Sequence, residues 1–237
     1  MSAQIQNISQ LVKVSGLQLA PFFKSVIIYF VIYSFEFWQS NLLSTILKCA
    51  PIISLMAFLF MNNLKFSNGN RYHKLLLGGL IFSCMGDAFL DYQQGKLFEL
   101  GMAAFAVAQI FYITMFGFTP LKIWIGLIFY SIGFISVALF FNSLTDILVF
   151  AVPIYCLLLL TMGWRSVARV ENFKSIPQVL CAFGGISFVI SDTLIAFNLF
   201  LTPIKYAQIY IMITYYFAQF GITLSVLDIT KKEKKSH

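Results

Sequence analysis

Charged side chains are scarce in this sequence. Only 11% of its 237 residues are Asp, Glu, Lys or Arg, whereas a soluble domain carries about 25%. A soluble fold of this size could not cover its surface with so few charges, and a chain with 59% hydrophobic residues is too apolar to be disordered. The same composition excludes nucleic-acid binders that work through a basic face, despite the net charge of +7. It indicates an integral membrane protein.

Histidine and cysteine are scarce as well. The two histidines are His73, in a predicted loop, and His237, at the end of the chain. No Ser-His-Asp set is therefore available, and a zinc hydrolase site that needs several histidine ligands is not predicted. The few cysteines all fall inside apolar runs, where we interpret them as small buried hydrophobes and not as a disulfide framework. They are Cys49, Cys84, Cys156 and Cys181.

Long apolar runs, in contrast, are abundant. A membrane-spanning helix needs about 20 mostly apolar residues, and the runs are continuous, without the alternation of a β-barrel. The sequence therefore predicts an all-α, polytopic membrane protein with one catalytic domain at 19–228, an interfacial N-terminal segment at 1–18 and a basic tail at 229–237. The eight predicted spans are 19–37, 43–61, 75–92, 97–116, 121–141, 146–163, 176–198 and 206–228.

Loop charges predict the orientation of this bundle. With eight spans, both termini lie on the same side, and that side would carry twelve Lys and Arg residues, among them Arg165 in the loop after span 6. The other side would carry two, Lys96 and Lys205. Positive loops stay in the cytoplasm, so both termini are predicted to be cytoplasmic. Lys234 and Lys235 then resemble a dilysine signal for retrieval to the endoplasmic reticulum, which predicts that membrane as the location. The alternative interpretation is a polybasic anchor on anionic lipid.

Three ionisable residues stand out inside the predicted spans, where charges are costly and usually functional. Lys48 lies near the start of span 2, and Asp87 and Asp192 lie near the ends of spans 3 and 7. The helical rise places all three about 8–9 Å inside the same, non-cytoplasmic boundary. We therefore expect them to meet. The remaining acids, including Asp91 and Asp228, are expected to reach the interface or solvent.

Spans 3 and 7 also resemble each other. Gly79 precedes Asp87 by eight residues, and Gly184 precedes Asp192 by the same distance. The repetition of this spacing about half the chain length further on predicts two four-helix halves in parallel orientation. Such halves would bring equivalent aspartates to one central cavity, as in some transporters. Coincidence among glycine-rich helices is the alternative.

Several uncharged polar residues also lie within the predicted spans. Each is explained singly by a hydrogen bond between helices, worth about 0.6 kcal/mol on average. Together they are candidates to line one polar, substrate-binding pocket with Lys48. They are Gln109, Tyr112, Tyr155, Ser191, Tyr215, Tyr216 and Gln219.

Two carboxyl groups in one apolar pocket suit acid-catalysed hydrolysis. Ionising one of them disfavours ionisation of the other, so that one serves as general acid and the other as base. Two alternatives use the same residues differently. In a transporter or lipid-binding protein, Asp87 and Asp192 would be proton or cation sites. In a structural protein, the polar residues would only join helices.

Motifs in a fixed order along the chain carry a family resemblance. They are LAPFFK with YFV (19–31), LKCAPI (47–52), GLIFSCMGDAFL (79–90), FAVAQIFY with FG (105–117), MGWR (162–165), SFVISD (187–192) and TYYFAQ (214–219). With these motifs the chain resembles eukaryotic members of the lysoplasmalogenase family, which have eight spans. The resemblance covers almost the whole chain, from about residue 19 to residue 228.

The resemblance implies an enzyme and a lysophospholipid substrate in the bilayer. Members of that family hydrolyse the vinyl ether bond of lysoplasmalogens, releasing a fatty aldehyde and a glycerophospho-base. It implies that Asp87 and Asp192 are the catalytic pair, that Lys48 is the family's membrane lysine, and that no metal or organic cofactor is required. The chain departs from the family at Gln109, where some members have histidine, and at Asp91, where others are apolar. No oligomeric state is predicted, because lipid-facing and helix-facing surfaces are equally apolar.

Overall fold

The computed structural model describes residues 2–34, 42–61, 71–91, 97–171 and 173–228. In these ranges the chain forms eight long α-helices, all of them long and apolar enough to cross a membrane. The all-α, eight-span prediction is therefore confirmed for the described residues. The helices are α1 (Ser2–Ser34), α2 (Leu42–Met61), α3 (Arg71–Asp91), α4 (Phe98–Phe116), α5 (Ile123–Phe140), α6 (Leu148–Ala168), α7 (Ile176–Phe200) and α8 (Ala207–Leu224).

The first helix differs most from its predicted bounds. It runs without a break from Ser2 to Ser34, and its apolar portion is Gly16–Tyr33. The predicted boundary between the N-terminal segment (1–18) and span 1 therefore falls inside a continuous helix. Neither Gly16 nor Pro21 interrupts this helix. The predicted end of span 1 at residue 37 and the basic tail at 229–237 lie outside the described residues, as does the dilysine pair.

The sixth helix extends five residues beyond its predicted end at 163, and this changes the interpretation of Arg165. Its side chain is fully buried and not in a loop. The guanidinium donates hydrogen bonds to the backbone carbonyl oxygens of Gly117, Pro120 and Leu121, at 2.6, 2.9 and 3.1 Å. Arg165 therefore anchors the α4–α5 connection to the last turn of α6, because burying its charge requires such partners.

The order of packing repeats along the chain. Helices α1 to α4 pack in sequence on one another, and α5 to α8 do the same. The two groups of four helices contact each other where α4 packs on α6 and where α8 packs on α2. These two contacts are equivalent, since α4 and α6 in one correspond to α8 and α2 in the other. This pattern is the one expected of two four-helix halves in parallel orientation.

Glycines bring the equivalent helix pairs into close contact. A Cβ atom on Gly184 of α7 would lie 2.8 Å from the carbonyl oxygen of Ala218 in α8. On Gly79, the equivalent position in α3, a Cβ would overlap the ring of Tyr112 in α4. Small residues allow such close approach between membrane helices. Gly79 and Gly184 therefore allow α3 to pack closely on α4 and α7 on α8, two turns before Asp87 and Asp192.

Candidate active site

A polar cavity of about 230 Å³ lies at the end of the bundle where α3 and α7 finish and α2, α4 and α8 begin. We call this end of the molecule the distal end. On α7 the lining positions are 191, 192, 195, 198 and 199, and on α8 they are 208, 211, 212 and 215. Both sets follow the spacing of one helix face. The charged and polar side chains that line the cavity are Lys48, Asp87, Ser191, Asp192, Asn198, Gln208 and Tyr215.

Lys48 and Asp87 form the charged side of this polar cavity. The Lys48 ammonium nitrogen lies 3.9 Å from a carboxylate oxygen of Asp87, and this is the only ion pair between side chains in the described part of the chain. The Tyr215 hydroxyl donates to the other Asp87 oxygen at 2.6 Å. The Tyr216 hydroxyl donates to the backbone carbonyl of Lys48 at 2.9 Å. Asp87 is 2% exposed and Lys48 is 6% exposed, so the pair is held away from solvent.

Asp192 lies across the same cavity in a different environment. Its carboxylate accepts a hydrogen bond from the hydroxyl of Tyr155 in α6. Its side chain is only partly buried, since it lines the polar cavity and also a neighbouring apolar cavity. The preceding residue, Ser191, donates to the backbone carbonyl of Ile211 at 3.1 Å, which joins α7 to α8 at this level. Asp192 thus faces open space with a phenol as its hydrogen-bond donor.

The structure brings together most of the residues that the sequence singled out. Lys48, Asp87, Ser191, Asp192 and Tyr215 line the polar cavity, and Tyr155 reaches Asp192 from α6. The depth argument therefore agrees with the geometry for all three ionisable groups.

Four of the predicted pocket residues line neither the polar nor the apolar cavity: Gln109, Tyr112, Tyr216 and Gln219. The Tyr112 hydroxyl donates to the side-chain oxygen of Gln219 at 2.8 Å and lies 3.5 Å from the Ser83 hydroxyl. Gln109 is fully buried on α4. The hydrogen bond from Tyr112 joins α4 to α8 beneath the cavity.

Asp91 is held by a neighbouring helix. It accepts hydrogen bonds from the hydroxyls of Ser44 and Thr45 of α2, at 2.6 and 2.7 Å. It does not line the polar cavity, although it lies one turn beyond Asp87. Asp91 therefore joins α3 to α2, and it offers a matched carboxylate outside the candidate site.

Asn198 and Gln208 are lining residues that the sequence interpretation missed. Asn198 accepts a hydrogen bond from the backbone N–H of Ile204 at 2.8 Å, and Gln208 donates to the Tyr29 hydroxyl at 3.1 Å. The signal was present, since Asn198 is seven residues after Ser191 and Gln208 is seven before Tyr215. Residues with that spacing lie on one helix face.

Comparison with known proteins connects this site to a family. A sequence model described as the YhhN family matches residues 43–226. The chain belongs to the YhhN family. Lysoplasmalogenase TMEM86A of Homo sapiens is 35% identical over 223 residues, which cover 92% of this chain and 91% of that protein. Lysoplasmalogenase TMEM86B of Homo sapiens is 34% identical over 209 residues, with 88% and 86% covered. No solved structure matches.

The family match also covers the motifs of the sequence from LKCAPI (47–52) to TYYFAQ (214–219). The matched range contains every lining residue of the polar cavity, from Lys48 on α2 to Tyr215 on α8. The resemblance to eukaryotic lysoplasmalogenases is confirmed by relatives that extend over about nine-tenths of the chain. The candidate site therefore lies within the part of the chain that this YhhN family member shares with its relatives.

Proposed function

We propose that this protein is a lysoplasmalogenase, which hydrolyses the vinyl ether bond of 1-alkenyl-glycerophosphoethanolamine or -choline. The main support is a cavity inside a membrane bundle that presents two carboxyl groups and one ammonium group. The relatives of this chain are named lysoplasmalogenases. The substrate is a membrane lipid. Its vinyl ether bond lies just below the headgroup, at a depth that a site near the distal end of the helices can reach.

The reaction needs one proton donor, one stabilising negative charge and one water molecule. A proton is added to the β-carbon of the vinyl ether, which leaves an oxocarbenium ion. Water adds to this cation and gives up a proton, and the hemiacetal then breaks its carbon–oxygen bond to give the aldehyde and the glycerol hydroxyl. Paired carboxyl groups perform the corresponding tasks at the oxocarbenium-like centre of glycosidases. Asp87 and Asp192 supply such a pair.

The different partners of the two aspartates support different roles for them. A buried carboxylate is costly to ionise without a partner, and Asp87 has the Lys48 ammonium 3.9 Å away. In our proposal Asp87 is the ionised member, which stabilises the cation and takes a proton from water. Asp192 carries the proton that is transferred, because the described residues give it a neutral hydrogen-bond partner, Tyr155, and no ion pair to offset a charge.

Lys48 has a second task in this proposal. An ammonium group has three N–H donors, and a single Asp87 oxygen 3.9 Å from the Lys48 nitrogen engages at most one of them. The others are available to a phosphate in the polar cavity, where the side-chain amides of Asn198 and Gln208 are further polar groups. In this scheme Ser191, Tyr215, Gln109, Tyr112 and Gln219 position the helices or the carboxyl groups, and the chemistry needs no metal or organic cofactor.

The function is tested by turnover of purified protein in detergent. We expect aldehyde release from 1-alkenyl lysophospholipids, measured with a coupled aldehyde dehydrogenase. The matched controls are the saturated 1-alkyl ether, which has no double bond to protonate, and the 1-acyl ester, and neither should yield aldehyde. Transport of lysoplasmalogen across liposomes without any aldehyde release would contradict the proposal and support a transporter.

We also propose that the protein resides in the endoplasmic reticulum membrane with both termini in the cytoplasm. The asymmetry of the loop charges and the Lys234-Lys235 pair support this location. Replacing both lysines with serine in the full-length protein should move it to later secretory membranes, as followed by microscopy. An unchanged distribution would contradict retrieval by this signal.

A further inference from the structure

An apolar cavity adjoins the polar one and has no role in the chemistry described so far. It has a volume of about 90 Å³ and lies between α4, α5, α6 and α7. Most of its lining is aliphatic or aromatic, for example Met102, Phe140, Val152 and Leu159. Such a lining offers little to a headgroup or a phosphate, and it suits a hydrocarbon chain.

The two cavities meet at the candidate acid. Asp192 lines both of them, as do Phe98, Phe105 and Ile195. One side of the Asp192 carboxyl group therefore faces ammonium and amide groups, and the other faces hydrocarbon. A lysoplasmalogen has the same division, because its vinyl ether bond joins a polar glycerophospho-base to an alkenyl chain.

The apolar cavity continues to the outer surface of the bundle. Gly133, Val137, Cys156 and Leu160 line it and also line a groove between α5 and α6, which we call the α5–α6 groove. Phe134 and Leu157 border this groove and are 77% and 58% exposed. Exposed apolar side chains in the middle of membrane helices contact lipid chains, so the groove opens to the hydrocarbon of the bilayer.

The opening lies at the depth of the reacting group. Gly133 is seven residues before the end of α5 at Phe140, which corresponds to about 10 Å of helix. Asp192 is eight residues before the end of α7 at Phe200, or about 12 Å. A hydrocarbon chain that passes from Asp192 to Gly133 therefore stays at nearly the same depth in the membrane and remains within the hydrocarbon layer.

We propose that the alkenyl chain of the substrate occupies the apolar cavity and leaves the protein sideways, between α5 and α6 at Gly133, into the bilayer. This inference rests on the proposed function. The headgroup lies in the polar cavity, and the vinyl ether bond lies beside Asp192, where the two cavities meet. The lipid enters from the membrane, and its terminal carbons stay in lipid during turnover.

Gly133 lies where the apolar cavity and the α5–α6 groove meet, since it lines both. A Cβ atom at this position would overlap the Cδ1 atom of Leu160 and would lie 3.1 Å from its Cδ2 atom. A larger side chain therefore fills the space between the α5–α6 groove and the apolar cavity. Substitution at Gly133 or at Val137, which lines both spaces, should block a long chain while sparing a short one.

The test compares alkenyl chains of about 16 carbons with chains of about four carbons. For Gly133→Leu and Val137→Phe we expect kcat/KM to fall at least about tenfold for the long chain, and by less than about threefold for the short chain, because contacts to remote parts of a substrate contribute to kcat/KM. Ile135→Phe is the matched control, since Ile135 lies on α5, is 61% exposed and lines neither space. It should leave both values unchanged.

Two measurements separate this inference from the proposed function. If folded Gly133→Leu and Val137→Phe proteins both keep the wild-type ratio of long-chain to short-chain kcat/KM, the inference is wrong although the enzyme is real. If the wild-type protein releases no aldehyde, the proposed function fails. Binding of the saturated 1-alkyl ether then still tests the passage, since tight binding of the long chain should be lost in both variants, and its retention would overturn the inference.

Discussion

Asp192→Asn is expected to lower kcat for lysoplasmalogen by about 10²- to 10⁴-fold, the range that general acid–base catalysis contributes. The side-chain oxygen of asparagine still accepts the hydrogen bond that Tyr155 donates to Asp192 in the structure. What is lost is the acidic proton that the β-carbon of the vinyl ether must receive. Substrate affinity, measured with the saturated 1-alkyl ether, should change little, because the amide fills the same space beside the two cavities.

Asp91→Asn is the matched control for this substitution. Asp91 is also a carboxylate near the distal end, but Ser44 and Thr45 hold it and it does not line the polar cavity. The control protein should hydrolyse lysoplasmalogen at a rate close to that of the wild type. Aldehyde release at the wild-type rate by a folded Asp192→Asn protein would show that the proton comes from another group.

Depth could be predicted from sequence because the helical rise is fixed. Counting residues from the ends of α2, α3 and α7 was sufficient to place Lys48, Asp87 and Asp192 at one level, and they do line one cavity. The eight helices were predictable for a similar reason, since a bilayer imposes a minimum apolar length. The repeated Gly-to-Asp spacing agreed with the packing of α3 on α4 and of α7 on α8.

Rotation about the helix axis could not be predicted in the same way. In water, an apolar stripe marks the face of a helix that packs, but in lipid both faces are apolar. From the sequence, Tyr155 and Gln109 were therefore equally good candidates to line the pocket. Only the structure shows that Tyr155 contacts Asp192. The apolar cavity gave no sequence signal at all, because its lining has the same composition as the lipid-facing surface.

The ends of the helices were the second source of error. Arg165 was counted as a loop charge because span 6 was predicted to end at residue 163, yet it is fully buried in α6. Asp228 was expected to be solvated, but it is 8% exposed and accepts hydrogen bonds from Ser175 and Gln178 at 2.8 and 2.9 Å. Both errors arise because a charge near the end of a span is stable either in solvent or with buried partners, and hydropathy does not distinguish the two.

The pairing of Lys48 with Asp87 leads to the second large prediction. Lys48→Met leaves a buried carboxylate without its counter-ion, and removing one partner of a buried pair costs about 3–5 kcal/mol of stability. Asp87→Asn leaves the ammonium unbalanced in the same way. In the double variant neither charge is present, and Met and Asn are similar in size to the residues they replace. We therefore expect the double variant to be more stable than Lys48→Met alone, as measured by thermal unfolding in detergent.

Activity should not follow stability in this series. If Asp87 provides the negative charge that stabilises the oxocarbenium ion, then the double variant is well folded and still at least about 10²-fold slower than the wild type, because the carboxylate is absent. A double variant that recovers both stability and turnover would show that the pair is structural. If the loss of stability in the double variant equals the sum of the losses in the two single variants, the 3.9 Å contact carries no coupling energy. Non-additive stability together with persistent inactivity is the result that assigns the Lys48–Asp87 pair a role in the reaction beyond its role in the bundle.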